Sequence, residues 1–174
     1  MILGGIALPT LPYKMQPVIV FTDGSCYPND GTGPGGWAFK CQYKGQTVVK
    51  FGSKSPSTNN EMELEALHHA LKYVPFGERY KNPLHIFTDS SYCHQTMTKW
   101  GRDWRCNDWM TSTGGQVKNK ELIETMLDIL DLHLKHRDVK FTLIKGHSGI
   151  EENEEVDKLA KEARLSLSTN WKAK

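Results

Sequence analysis

Residues 18–25 read V-I-V-F-T-D-G-S, and residues 84–90 read L-H-I-F-T-D-S. Each is an apolar run, rich in β-branched or aromatic types, that closes on Phe-Thr-Asp before a small polar residue. That is the pattern of a buried strand with an acid at its tip, and the Asp-Gly-Ser after the first run is expected to break it. This repeated device constrains the chain more than any other feature. If the two strands lie side by side, Asp23 and Asp89 emerge together, and two ionised carboxylates at one spot repel unless a cation or a proton joins them.

The 174 residues suit one domain with a single sizeable core. Hydrophobic residues at 38% and charged residues at 24% describe an ordinary globular chain, and the net charge of +2 permits a polyanionic partner without demanding one. Cys26, Cys41, Cys93 and Cys106 form no C-x-x-C pair. They read as free thiols of a reducing, cytoplasmic compartment. Residues 1–17 lack a cationic start and a long apolar stretch, so a leader or a membrane anchor is not expected. The expected division is a tail over 1–16, a domain over 17–168 and a C-terminal tail over 169–174. A monomer is expected.

After Asp23 comes a turn-rich loop, 27–36, without the Gly-Lys-Ser/Thr ending that a phosphate-cradling loop requires. Residues 37–43 and 46–53 then form two strands joined by a turn at Lys44-Gly45, which makes a three-strand antiparallel meander. Ser57-Thr58-Asn59-Asn60 is helix-capping sequence, and the helix runs to about Tyr73, where Pro75 stops it. On its wheel Leu64, Ala66, Leu67, Ala70, Leu71 and Val74 share one arc, and Glu63 falls inside that arc. A carboxylate on a core-facing stripe points to a partner or a metal, with a dipole role near the helix N-terminus as the alternative. Glu61 and Glu65 read as solvated surface.

Residues 90–99 form a short helix, and the stretch that follows mixes Trp100, Trp104 and Trp109 with four cations against two acids between Lys99 and Lys118. Such a mixture suits a surface that grips nucleic acid, although tryptophans can equally anchor a small projecting helix. Residues 118–137 form an amphipathic packing helix, 139–145 a strand, and 151–167 a final helix with Asp157 beside its apolar stripe. The order β-β-β-α-β-α-α-α-β-α implies a five-stranded mixed α/β sheet flanked by helices, three strands antiparallel and then two parallel.

Asp23, Asp89 and Glu63 are expected at one sheet edge, where Asp157 joins them if the last helix packs back. An all-oxygen set favours Mg²⁺ or Mn²⁺, and two such ions can flank a phosphodiester. His147, on a glycine-flanked loop, is placed to carry a proton toward or away from that site. His68, His69, His133 and His136 read as ordinary exposed histidines.

The chain resembles type 1 ribonuclease H through TDGSC at 22–26, GPGGW at 33–37, TNNEMEL at 58–64, TDSSY at 88–92, KGHSG at 145–149 and NEEVDKLA at 153–160. Each motif alone is weak, and the ordered set is strong. The resemblance implies a ribonuclease H-like fold with a projecting handle at about 99–118. It implies hydrolysis of the RNA strand of RNA/DNA hybrids, with 5′-phosphate and 3′-hydroxyl ends and two Mg²⁺ ions. It further implies Asp23, Glu63, Asp89 and Asp157 as metal-binding carboxylates and His147 as a proton carrier. Thr58, Asn59, Asn60, Gly24, Ser25 and Cys26 match substrate-contacting positions, and Trp100, Trp104 and Trp109 match the handle tryptophans.

Three departures stand out. Residues 105–108, Arg-Cys-Asn-Asp, replace the lysine- and arginine-rich run common in bacterial relatives, so weaker hybrid binding with a shallower salt dependence is expected. Glu61 and Ser91 stand where arginine and glutamine are common. Ile150 replaces a polar residue. Competing readings are a nuclease or transposase of the same scaffold acting on DNA, a non-catalytic hybrid-binding module, and the ribonuclease H portion of a reverse transcriptase.

Overall fold

The computed structural model describes residues 15–171. Its sheet has the strand order β3-β2-β1-β4-β5, built from β1 (Val18–Cys26), β2 (Gly35–Tyr43), β3 (Gln46–Lys54), β4 (Leu84–Thr88) and β5 (Val139–Leu143). The first three strands pair antiparallel, while β4 and β5 run parallel to β1, as the sequence predicts. The expected tail over 1–16 falls almost entirely outside the described residues.

Two apolar layers sandwich the sheet. On one face α1 (Asn59–Tyr73) packs against β1 and β2 and is backed by α4 (Lys120–Leu134). The arc read from the sequence is the face that lands there: Leu64, Ala66, Leu67, Ala70, Leu71 and Val74 are all buried. On the other face α5 (Glu151–Trp171) covers Phe21 and Ala38 with Val156 and Ala160. Phe21 and Phe87 stack there at 4.9 Å between ring centroids.

Several boundaries differ from expectation for physical reasons. Asp-Gly-Ser does not break β1, because antiparallel pairing with β2 continues through Ser25↔Gly36 and Cys26↔Gly35. What stops is β4, which pairs with β1 only as far as Thr22↔Thr88. Asp23 therefore sits where β1 loses a neighbour on one side and keeps one on the other. The fourth helix starts at Lys120 rather than 118, since Asn119 takes a left-handed backbone with φ of 58°. It ends at Leu134, and Arg137 turns inward to donate to the Pro75 carbonyl at 2.6 Å. The last helix continues past the expected 167 to Trp171, so the tail expected from 169 begins inside it. Between β4 and α4 the chain is helical over α2 (Ser91–Gln95), a π-turn (Thr96–Trp100) and α3 (Gly101–Cys106).

Candidate active site

Parallel register brings the two Phe-Thr-Asp segments together. Thr22 pairs with Thr88, which leaves Asp23 and Asp89 as adjacent residues one step further along. Glu63 arrives from the first turns of α1 because that helix crosses β1 too closely at Gly24 for a side chain to fit between the backbones. A Cβ on Gly24 would lie 2.3 Å from the Glu63 backbone nitrogen. Only a residue without a side chain lets Glu63 stand beside Asp23.

The result is a trio of carboxylates, Asp23, Glu63 and Asp89, with one oxygen from each lying within 4.8 Å of the others. Asp23 is 4% exposed and Glu63 9%. Asp23 accepts a hydrogen bond from the Gly24 N–H at 2.8 Å, and Asp89 Oδ2 accepts one from the Asn153 side-chain amide at 3.1 Å. Glu63 faces the Asp23 carboxyl and the Gly24 N–H, and among the described residues its buried Oε2 has no well-formed hydrogen bond. None of the ion pairs among the described residues involves the trio. Burial, reinforced by Asp89 and Asp157, pushes the Asp23 carboxyl up to about 8. Burial and the charges of Asp23 and Asp89 also push Glu63 well above the carboxylate range.

Such a group cannot stay ionised without a cation. The orphaned Glu63 oxygen and an all-carboxylate donor set fit a hard divalent ion, with oxygen ligands and no thiolate or imidazole among them.

Asp157 is near enough for its charge to raise Asp23, yet it is not part of the trio. Its Oδ2 accepts from Lys161 Nζ at 2.6 Å, one turn along α5. His147 lies exposed on the loop between β5 and α5, in a left-handed conformation with φ of 51°. The loop passes directly over Asp89, since a Cβ on neighbouring Gly146 would lie 2.8 Å from Asp89 Oδ2.

Sequence reasoning left one residue of this site without a role. Asn153 is 3% exposed and holds Asp89 from 64 positions away. Its signal was its spacing of four from Asp157, which sets both on one side of α5.

The substrate candidates divide. A cavity of ≈ 510 Å³ is lined by Thr58, Asn60, Tyr92, Trp104, Gln116 and Lys118, which joins the α1 cap to the handle. Trp100 stands against Trp104 at 5.8 Å. Thr58 also caps α1 by accepting from the Glu61 N–H at 3.2 Å. The Asn59 side chain accepts from the Cys26 N–H, and the Cys26 thiol is buried against the Ser57 carbonyl at 3.1 Å. Those two side chains serve the loop's own architecture. Ser25 is half-buried.

Trp109 is no handle residue in its packing. It is 7% exposed, belongs to the main core and carries Lys120 over its ring. The handle's arginines are also engaged: Arg102 pairs with Asp131 at 2.6 Å, and Arg105 pairs with Asp128 at 2.8 Å while donating to the Glu124 carbonyl at 3.1 Å. Two further expectations need correction. Glu61 and Glu65 are half-buried rather than solvated, Glu61 taking Lys54 and the Ser57 hydroxyl. His133 is fully buried and its Nε2 meets the Leu71 carbonyl at 3.0 Å, while His68 and His69 are half-buried on α1.

Comparison with known proteins follows the same lines. A family model described as RNase H matches residues 15–164. The Ribonuclease H of Hydrogenovibrio crunogenus is 39% identical over 156 residues, covering 88% of this chain and 99% of that one. The Ribonuclease H of Zymomonas mobilis is 35% identical over 158 residues, covering 90% and 94%. Among solved structures, LC9-RNase H1, described as a type 1 RNase H with the type 2 active-site motif, matches with a TM-score of 0.72 and 27% identity over 87% of this chain and 74% of that one. With the family model spanning the sheet, α1 and α5 as far as Arg164, and therefore all three carboxylates of the trio, the chain belongs to the ribonuclease H family.

Proposed function

We propose that the chain is an endoribonuclease that hydrolyses the RNA strand of RNA/DNA hybrids, leaving 5′-phosphate and 3′-hydroxyl ends. The observation that carries this reading is the buried trio with its unpartnered Glu63 oxygen, on a helix whose first turn, at Asn60 and Glu61, lines a cavity that reaches the handle. Asp23, Glu63 and Asp89 would hold divalent metal, with Mg²⁺ the expected ion and Mn²⁺ a substitute, and Asp157 the fourth carboxylate. Metal held by these carboxylates would supply activation of the attacking water and stabilisation of the leaving oxygen of a phosphodiester.

The chain's own residues supply position and proton traffic. Asp23, which feels both Glu63 and Asp89, would be the central carboxylate of the metal-holding set. Asn153 keeps Asp89 turned toward the trio through its amide. Lys161 neutralises Asp157 when no cation does. His147, on the loop over Asp89, is assigned to receive or return a proton as substrate enters and product leaves. Thr58, Asn60, Trp100 and Trp104 are assigned to the hybrid, where sugar 2′-hydroxyls distinguish RNA from DNA. All these groups come from one chain, so a monomer suffices. The four free cysteines accord with a reducing cytoplasm.

The test is cleavage of end-labelled hybrid, RNA duplex and DNA duplex with and without Mg²⁺. Only the hybrid should be cut, and only with metal. Cutting of the DNA duplex would sink the reading.

A further inference from the structure

The first long helix carries two clusters of different chemistry. Besides Glu63 it presents Glu65, His68 and His69, and among the described residues this is the second group whose ligand atoms lie within 4.8 Å of one another. Spacings of three and four put these side chains on one helix face. Glu65 Oε2 stands 3.5 Å from His68 Nδ1 and 3.8 Å from His69 Nε2. The His69 ring stacks flat on Trp37 of β2, with centroids 3.9 Å apart, which fixes its plane. Both ring nitrogens of His68 are buried; Nδ1 meets only the long contact to Glu65, and among the described residues Nε2 has no hydrogen-bond partner. At 3.5 Å the Glu65–His68 contact is too long for a good hydrogen bond, and a metal ion set between Oε2 and Nδ1 would satisfy both. Of the lysines whose charges reach this cluster, Lys54 is taken by Glu61 and Lys50 lies over the Tyr73 ring, while Lys72 acts on His69.

We propose that Glu65, His68 and His69 form a second metal site for a borderline transition-metal ion of the Zn²⁺ class, with the remaining coordination position left to water. Two imidazoles with one carboxylate favour Zn²⁺, Co²⁺, Ni²⁺ or Cu²⁺, whereas Mg²⁺ prefers oxygen ligands. Ligands of tetrahedral zinc at about 2.0–2.1 Å from the ion lie ~3.3 Å from one another, so the separations already present need only small side-chain adjustments. Glu65 is two residues from Glu63, roughly 200° around the helix, so the two clusters occupy different flanks. Glu65 lines a separate cavity of ≈ 510 Å³ with Lys54, Glu61, Asp108 and Trp109. An ion bound here stabilises the helix that presents Glu63, by mass action and without touching substrate.

The test titrates the full-length protein with Zn²⁺ under excess Mg²⁺, following bound heat and the thermal midpoint. The expected result is one site per chain and a raised midpoint in the wild type and in Asp89→Asn. His69→Gln and Glu65→Gln should each weaken binding more than about tenfold and remove the rise. Both replaced residues are only half-buried, so the variants should fold, and their midpoints in Mg²⁺ alone report whether they have. Unchanged Zn²⁺ affinity in folded Glu65→Gln and His69→Gln would overturn the proposal, as would an absent site in the wild type or one lost in Asp89→Asn.

Discussion

The carboxylate edge and the handle treat charge in opposite ways. At the edge, backbone register and a side-chain-free crossing force three acids together in a buried place where, among the described residues, no cation pairs with them. In the handle, Arg102 and Arg105 have found Asp131, Asp128 and a backbone carbonyl on the neighbouring helix. One region is assembled with its need unmet, and the other arrives satisfied. An unmet buried charge makes a site that an external ion completes, whereas a satisfied surface pair gives up little when a ligand approaches. Exposed pairs of this kind are worth about 0.2–1 kcal/mol, so a phosphate can compete for Arg102 more readily than for Arg105, which has three partners.

This contrast can be challenged experimentally. The largest effect is expected at the edge: Asp89→Asn should lower Mg²⁺-dependent hybrid cleavage by at least about a hundredfold, ~3 kcal/mol in the barrier, while the fold persists. Equal activity would remove the trio from the mechanism. Trp109→Ala should cost roughly 3–5 kcal/mol of stability by denaturant titration, because this ring is core. Trp104→Ala should mainly weaken hybrid binding, and if the two behaved alike the division within the handle would fail.

Asn153→Ala should slow cleavage roughly 10- to 100-fold by freeing Asp89, visible as a lowered rate at saturating hybrid. Stability of the metal-free protein should depend on pH with a definite sign. Asp23 in the folded state holds its proton up to about 8, whereas its ordinary value is 3.8. The unfolded chain therefore loses this proton first, and stability present below about pH 4 drains away as pH rises through about 8. Denaturation midpoints should fall across that window, less so in Asp23→Asn, and Mg²⁺ should restore them at the alkaline end. The smallest effect belongs to the handle. The wild type should show a shallow salt dependence of hybrid binding, and Asp128→Ala with Asp131→Ala should steepen its slope by up to about two as both arginines are released. An unchanged slope would mean the arginines reach phosphates despite their partners.

The edge was more legible in the sequence than the handle, and the reason is distance along the chain. Strand alternation, a capping run and a helix wheel are local, and they located β1, β4, α1 and the inward-facing Glu63. Family motifs then joined Asp157 and His147 to that set. The features that escaped depend on partners far away in the chain. His133 owes its burial to a carbonyl 62 residues distant, and Arg102 is claimed by an acid 29 residues on. Trp109 looks like its neighbours Trp100 and Trp104 until packing separates them. The continuation of β1 past Asp23 was hidden for a related reason, since the glycine-bearing segment is held by β2 rather than by its own propensity.

The π-turn at Thr96–Trp100 carries a further consequence. A π-turn accommodates one more residue than an α-turn, and each residue advances an α-helix by about 100°. The extra residue therefore resets the angular phase of everything after it. Arg105 faces Asp128, and Trp104 the cavity, in the phase that the turn sets. Deleting one residue from 96–100 would swing both away without altering a single side chain of the handle, so the handle's aim is fixed by a count of backbone residues rather than by its composition.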